Sequence, residues 1–281
     1  MAQRGQTLAA LDGTPLFVRD WPLPAGVPAR GGILLMHGLG EHCGRHAHVA
    51  QFFNDCGYAV RTYDHRGHGR SGGPRGDVPD DEALIRDAKV VLDDFVRQER
   101  AAGAGSAPFL FGHSMGGLFA ARFAASGLAP LRGLILSSPA LALPLSAIQK
   151  MLLKILGATA PGLAVPNGLK TRYLSHDPAV AAAYSSDPLV HGKISARLLL
   201  SMLAAIEFAQ ARAAALAIPT LMVVAGDDRL VDADGSRAFF PKLAAGLGTL
   251  HLYPDFYHEI FNERGAERVF DDVRAWLARH S

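Results

Sequence analysis

Short apolar runs alternate with amphipathic stretches along most of the chain. Seven runs read as strands: "PLFVRDW" (15–21), "GILLMHG" (32–38), "YAVRTYD" (58–64), "APFLFGHS" (107–114), "LRGLILSS" (131–138), "PTLMVVAG" (219–226) and "TLHLYP" (249–254). Most are nearly continuous in apolar residues, the pattern of parallel strands covered on both faces. Helical periods lie between them. Residues 80–103 carry Leu84, Ala88, Val91, Leu92 and Phe95 at spacings of three and four, behind an acidic first turn and ahead of Gly103. Residues 115–127, 233–246 and 265–280 repeat the theme, with Pro241 set to break or kink the second of these. Strands alternating with such helices predict crossover units and a mostly parallel sheet. The "LDGTPL" turn (11–16) predicts an antiparallel pair at one edge, because Asp-Gly favours a tight hairpin.

The alternation lapses from about 140 to 216. Helical patterns continue there, clearest in "SARLLLSMLAAIEFAQARAAAL" (195–216), but no good strand appears until Pro219. The expectation is a core built from residues 1–139 and 217–281 with a helical cap, 140–216, inserted over one end of the sheet. One domain with an insertion suits 281 residues, since α/β domains often run past about 200. The most apolar part of the cap, "SAIQKMLLKILGATAPGLAVP" (146–166), is interrupted by Lys150, Lys154 and Pro161. It lacks the roughly 20 clean residues of a membrane span. Its Ile148, Met151, Leu152, Ile155 and Leu156 form a face flanked by lysines. Such a face can line an acyl tunnel or rest on a membrane surface, and packing against the sheet is its ordinary use.

Composition narrows the class. Apolar residues at 49%, charged ones at 19%, 30 Gly and 17 Pro describe a compact chain with many tight connections. A net charge of +2, with basic and acidic residues interspersed, excludes the clustered basic face of a nucleic-acid binder. Cys43 and Cys56 are too few for a disulfide framework, and "MAQRGQTLAALDGTPL" lacks an apolar run of signal-peptide length. A cytoplasmic protein with reduced thiols is expected.

The chemistry is concentrated in a few stretches. "LFGHSMGGLF" (110–119) sets Ser114 between Gly112 and Gly116 where a strand gives way to a helix. Gly-x-Ser-x-Gly in that context forms a sharp turn that lifts the hydroxyl above the sheet, so Ser114 is the candidate nucleophile. A helix cap alone would explain a serine but not the flanking glycines. A serine hydroxyl needs a base, and the base needs an acid to orient it; in this sheet type both follow later strands, acid first. Asp227 and Asp228 follow the run at 219–226, and His258 stands in the loop after the run at 249–254. An oxyanion would be met by backbone N–H groups of Met115 and of Leu39, the latter in the loop "MHGLGEHCGR" (36–45). Cys43 and the three histidines of "EHCGRHAH" (41–48) have no closed metal-ligand spacing, so no metal is expected. "DHRGHGRS" (64–71) lacks phosphate-loop spacing, and "SSDPLV" (185–190) reads as a corner of the cap.

Taken together, "HGLGEHCGR", "DHRGHGRS", "GHSMGG", "SSDPL", "AGDDRLVD" and "YHEI" in this order resemble the monoacylglycerol lipase and lysophospholipase branch of the α/β-hydrolases. The resemblance runs from about residue 12 to the C-terminus. It implies an α/β fold with a mostly parallel eight-stranded sheet, flanking helices and a helical cap. It also implies a triad of Ser114, Asp228 and His258, preferring Asp228 to Asp227 because it directly precedes Arg-Leu. By the same resemblance Glu41 and Arg45 stand around the bound alcohol, and Tyr184 faces the glycerol group. The middle of the cap, 144–182, matches loosely, and acyl length and head group would be decided there. The implied activity is hydrolysis of lipid-like carboxylic esters, monoacylglycerol to fatty acid and glycerol or a lysophospholipid. No cofactor and no nucleic acid are expected, only a small lipid ester, with peripheral membrane contact through the cap and a monomer or homodimer as the assembly. Two rivals stand beside this reading. One is a peptidase of the proline-iminopeptidase type, which needs cap carboxylates and finds only Glu207 in the apolar cap helix. The other is a non-catalytic ligand receptor on the same scaffold.

Overall fold

The computed structural model describes residues 4–103 and 106–280. In chain order its strands are β1 (Arg4–Ala9), β2 (Pro15–Trp21), β3 (Gly31–Met36), β4 (Tyr58–Tyr63), β5 (Phe109–His113), β6 (Gly133–Ser137), β7 (Ala164–Pro166), β8 (Lys193–Ser195), β9 (Thr220–Ala225) and β10 (Gly248–Tyr253). Eight of them form one sheet in the order β1-β2-β4-β3-β5-β6-β9-β10. β1 and β2 are the antiparallel pair expected around Asp12-Gly13, closing with Ala9 opposite Pro15. β2 meets β4 antiparallel, and every pairing from β4 through β10 is parallel.

The helices are α1 (Ala47–Asp55), α2 (Ala83–Ala101), α3 (Met115–Ala125), α4 (Ala147–Thr159), α5 (Pro178–Ser186), α6 (Ala196–Arg212), α7 (Ala233–Phe239) and α8 (Glu267–His280). α7 stops at Phe239 and a 3-10 turn over Phe240–Lys242 carries Pro241, as that residue's missing N–H requires. Alternation along each strand divides the core in two. Leu34, Met36, Leu110, Leu134 and Met222 face the side covered by α2, α3 and α6, whereas Ile33, Leu35, Phe109, Phe111 and Ile135 face α1 and α8.

Between β6 and β9 the chain departs from the expectation in two ways. The stretch contains strands after all: β7 and β8, three residues each, pair antiparallel as a sheet of their own. Segments this short carry no period that can be read along the chain. The apolar face of α4 is also not packed on the sheet. Ile148, Met151, Leu152 and Ile155 are 50 to 67% exposed, and among the described side chains of this helix only Leu153 is buried. α6 takes the packing role instead, burying Leu198, Met202, Ala205 and Ala209 in the core shared with α3. By length and composition Ala196–Ala215 could cross a membrane; in this fold its buried side is a core face.

The segment between β6 and β9 is anchored on one side. The buried Asp77 accepts from Ser195 Oγ (2.6 Å) and from Arg197 Nη2 (2.5 Å). Ser195 N–H donates to Gly76 O and His191 N–H to Gly40 O, both at 2.8 Å.

Because β3, β5, β9 and β10 run parallel, the loops after their C-terminal ends gather at one rim, the usual place for a site in such a sheet. The turn after β5 is the tightest of these junctions. A Cβ on Gly112 would stand 2.4 Å from Gly116 O, and one on Gly116 would stand 2.3 and 2.4 Å from the Met36 and His37 carbonyl oxygens. Those contacts are with backbone, which cannot step aside. Gly116→Ala is expected to lower the unfolding free energy by about 2–3 kcal/mol, read from the urea midpoint. An unchanged midpoint would show that β3, β5 and α3 are not in this close contact.

Candidate active site

Ser114 sits between β5 and α3 with φ 54° and ψ −120°. Only one other described non-glycine residue, Ser138, has a positive φ. The left-handed region costs an L-residue about 1–3 kcal/mol and persists only where surrounding bonds enforce it. Here they do. Ser114 N–H donates to Ser137 O, and Ser114 O accepts from the N–H groups of Leu118 and Ala140, each at 3.0 Å. Ser138 braces the neighbouring strand ends in turn, donating its N–H to Val223 O (2.9 Å) and accepting from Ala225 N–H at Oγ (3.2 Å).

His258 and Asp228 meet under the same rim. His258 Nδ1 lies 2.6 Å from Asp228 Oδ2, and the side chains are 4% and 2% exposed. The other carboxylate oxygen accepts from the N–H groups of Leu230 (2.9 Å) and Val231 (3.0 Å), so the acid is fixed before it touches the imidazole. Nδ1 is thereby the donor, leaving Nε2 free of this pair. Burial alone would push the His258 pKa down, but the adjacent Asp228 carboxylate, helped by Glu259 and Glu41, outweighs it and holds the imidazole above its ordinary value. Asp227 points elsewhere, with 42% of its side chain exposed, and pairs with Arg229.

His113, directly before Ser114, packs its ring 4.8 Å from that of His258 and makes a 3.1 Å contact from Nδ1 to Ser137 Oγ. Burial and the neighbouring His258 push its pKa well down, so it stays neutral.

The loop after β3 lies against the serine. A Cβ on Gly38 would be 3.2 Å from Ser114 Cβ. His37 accepts the His65 N–H at Nε2 (2.9 Å), which makes Nδ1 the donor to Gly38 O (2.7 Å) and fixes a neutral tautomer. Glu41 Oε1 accepts from Gly38 N–H (2.6 Å) and contacts His46 Nε2 (2.8 Å), while Oε2 accepts from Arg45 Nη1 (2.7 Å). Burial would raise the Glu41 pKa, yet His46 and Arg45 prevail and hold it well below the carboxylate range. The rest of the "EHCGRHAH" cluster disperses: His42 pairs with Asp187 of the "SSDPL" corner (2.9 Å), and His48 contacts Phe261 O (3.2 Å). Cys43 is buried, and burial beside Asp64 pushes its thiol up, away from a reactive thiolate.

Ser114 and His258 line one cavity of about 400 Å³, together with Leu39, Met115, Glu41 and Tyr184. Leu143, Leu145, Leu174, Ile194, Leu199 and Met202 supply apolar walls, all of them from the segment between β6 and β9. Tyr184 and Asn167 also line it, and their Oη and Nδ2 atoms are buried with no hydrogen-bond partner within the protein. Arg45 is not on the cavity wall; its guanidinium stacks 4.7 Å from the Tyr184 ring centroid. Sequence reading misses Asn167, His113 and Glu259. No motif marks Asn167, and the other two sit inside stretches read for their neighbours.

The family model described as "Serine aminopeptidase, S33" matches residues 27–265. The monoacylglycerol lipase of Mycolicibacterium smegmatis is 39% identical over 89% of each chain, and phospholipase YtpA of Bacillus subtilis is 33% identical over 88% of this chain and 95% of its own. The crystal structure of Paleococcus ferrophilus monoacylglycerol lipase superposes with a TM-score of 0.83 at 32% identity, covering both chains fully. The structural match spans the whole chain, and the family model runs from before β3 to just short of α8, so both include the segment between β6 and β9. The chain therefore belongs to the serine aminopeptidase S33 family of α/β-hydrolases, in its monoacylglycerol lipase branch.

Proposed function

We propose that this protein is a serine hydrolase that cleaves carboxylic esters of lipid-like substrates, monoacylglycerol to fatty acid and glycerol foremost. The observation that supports the reading is that a strained Ser114 and a carboxylate-bound His258 line one cavity. In this mechanism His258, oriented by Asp228, takes the Ser114 proton as the oxygen attacks the ester carbonyl. The N–H groups of Leu39 and Met115 meet the developing oxyanion, and the first N–H groups of α3 need no intrahelical acceptor. The protonated His258 then gives its proton to the departing alcohol, and water activated by the same imidazole releases the acid. Neither metal nor cofactor takes part.

The choice of alcohol rests on the polar end of the cavity. Tyr184 Oη and Asn167 Nδ2 both come within 3.4 Å of a Cβ placed on Gly40, so the two polar tips lie close to one another. Asn167 Oδ1 is already held by Leu169 N–H (3.0 Å), which leaves Nδ2 as an open donor. A buried polar group without a partner costs about 1–3 kcal/mol, and the hydroxyls of glycerol would relieve both. Glu41 and Tyr184 are assigned to the alcohol side, with Arg45 stacked behind the tyrosine. The apolar walls suit an acyl chain. Two relatives bearing the name monoacylglycerol lipase support this choice, and the relative named a phospholipase keeps a lysophospholipid in view.

A peptidase that holds a free amine has less support. Glu207 is exposed on α6, and the two carboxylates that line the cavity, Glu41 and Glu259, already share Arg45. We place the protein in the cytoplasm and assign residues 140–216 as its cap. The exposed side of α4, with Lys154 beside Ile148, Met151, Leu152 and Ile155, is suited to rest on a lipid surface near the cavity that Gln149 helps to line.

A fluorophosphonate probe should label the wild type, and Ser114→Ala should lose both labelling and at least about 10⁴-fold in kcat while its thermal unfolding is retained. An unlabelled wild type would favour the receptor reading. Because His258 must be neutral to accept a proton, and its pKa is raised, kcat/KM should fall on the acid side with a midpoint above 6.5. Asp228→Asn removes the charge that raises it, so that limb should move to lower pH while the rate drops about 10⁴-fold. Turnover of a medium-chain monoacylglycerol should far exceed that of a prolyl anilide, and Tyr184→Phe with Asn167→Ala should raise KM about 10-fold or more for the glycerol ester while leaving a simple methyl ester little changed. Activity on the anilide alone would overturn the ester assignment.

A further inference from the structure

Two buried carboxylates from distant parts of the chain converge on one guanidinium. Arg45 Nη1 donates to Glu41 Oε2 (2.7 Å) and to Glu259 Oε1 (2.6 Å), and Nη2 donates to Glu259 Oε2 (2.9 Å). Glu41 and Glu259 are 3% and 5% exposed, and the Arg45 side chain is 11% exposed. Each carboxylate is also tied into a loop that carries part of the reaction. Glu41 holds the N–H of Gly38, fixing the turn that presents Leu39. Glu259 follows His258 in the chain; its Oε2 accepts from Asn262 Nδ2 (2.8 Å), and its N–H donates to Leu174 O (2.8 Å) in the inserted segment.

We infer that Arg45 is a positioning residue that clamps the oxyanion-side loop at 38–41 to the loop bearing His258 and keeps the two in register. The inference rests on the ester-hydrolase reading above and assigns Arg45 no contact with substrate. Neighbouring buried carboxylates repel unless a cation lies between them. A planar guanidinium can grip one carboxylate with two bonds and reach the second with a third, whereas a lysine ammonium is a point charge and cannot reproduce that fork. The face of the same guanidinium is covered by Tyr184, which orients its plane. Without Arg45 one carboxylate must take up a proton or swing away. Either change shifts the Leu39 N–H relative to the imidazole, and a displacement of about 1 Å in such a constellation can cost on the order of 100-fold in rate.

The test is steady-state turnover of a monoacylglycerol by Arg45→Met and Arg45→Lys, with thermal unfolding checked for each. We expect kcat to fall about 100-fold in Arg45→Met with KM within about threefold, and only partial recovery in Arg45→Lys. A double-mutant cycle supplies the readout that a general loss of packing would not give. Glu41→Gln and Glu259→Gln should be non-additive in kcat when Arg45 is present and additive when it is methionine. If Arg45→Met does not fold, Arg45→Lys and the glutamine cycle carry the test. A rise in KM with kcat unchanged would make Arg45 a substrate contact and overturn the clamp, as would additivity of the two glutamines in the wild-type background. Those results leave the ester reading standing, provided the wild type turns over ester and Ser114 labels; an inactive, unlabelled wild type would remove both.

Discussion

The site depends on a backbone held where it does not rest by choice. Ser114 occupies the left-handed region because three main-chain hydrogen bonds, to Ser137, Leu118 and Ala140, have no other way to form at once. These bonds exist only because β5 and α3 come together at Gly112 and Gly116 to a distance that no side chain permits. The opposing energies are comparable: a strained residue costs about 1–3 kcal/mol and each hydrogen bond contributes about 1 kcal/mol. The turn is thus over-determined by its surroundings, and the hydroxyl points to the rim whether or not a ligand is bound.

Around that fixed point the other groups are also settled in advance. The Asp228 carboxylate is occupied by the Leu230 and Val231 amides, His37 is locked in one neutral tautomer by His65 and Gly38, and Glu41 is pinned by Gly38, Arg45 and His46. Arrangement before encounter is what makes electrostatic stabilisation effective in a water-poor cavity. Among the described residues that line the cavity, the buried polar atoms without a partner belong to Tyr184 and Asn167.

Much of this was legible along the chain because the parallel strands announce themselves by continuous apolar runs, and because the Gly-x-Ser-x-Gly turn needs glycines at fixed offsets. The Asp12-Gly13 turn foretold the antiparallel edge, although β1 itself, "RGQTLA", is too polar to read as a strand. α1 was missed for a related reason: it is short, and it lies inside a stretch rich in histidine that draws attention to chemistry. Neither Asp227 nor Asp228 was separable by position alone, since both leave the same strand; their difference is one of direction, toward Arg229 or toward His258. Asn167 had no pattern to reveal it. Its importance comes from what its amide lacks in three dimensions, and a missing partner leaves no trace in a string of residues.

The segment between β6 and β9 is fastened unequally. Its later part, from His191 through α6, is stitched to Gly40, Gly76 and Asp77 and completes the core beside α3, while α4, among its described side chains, lends only Leu153 to the interior. The two parts therefore answer to different demands. Altering the later one unpacks the fold, whereas the exposed positions of α4 can be changed with little loss of core packing.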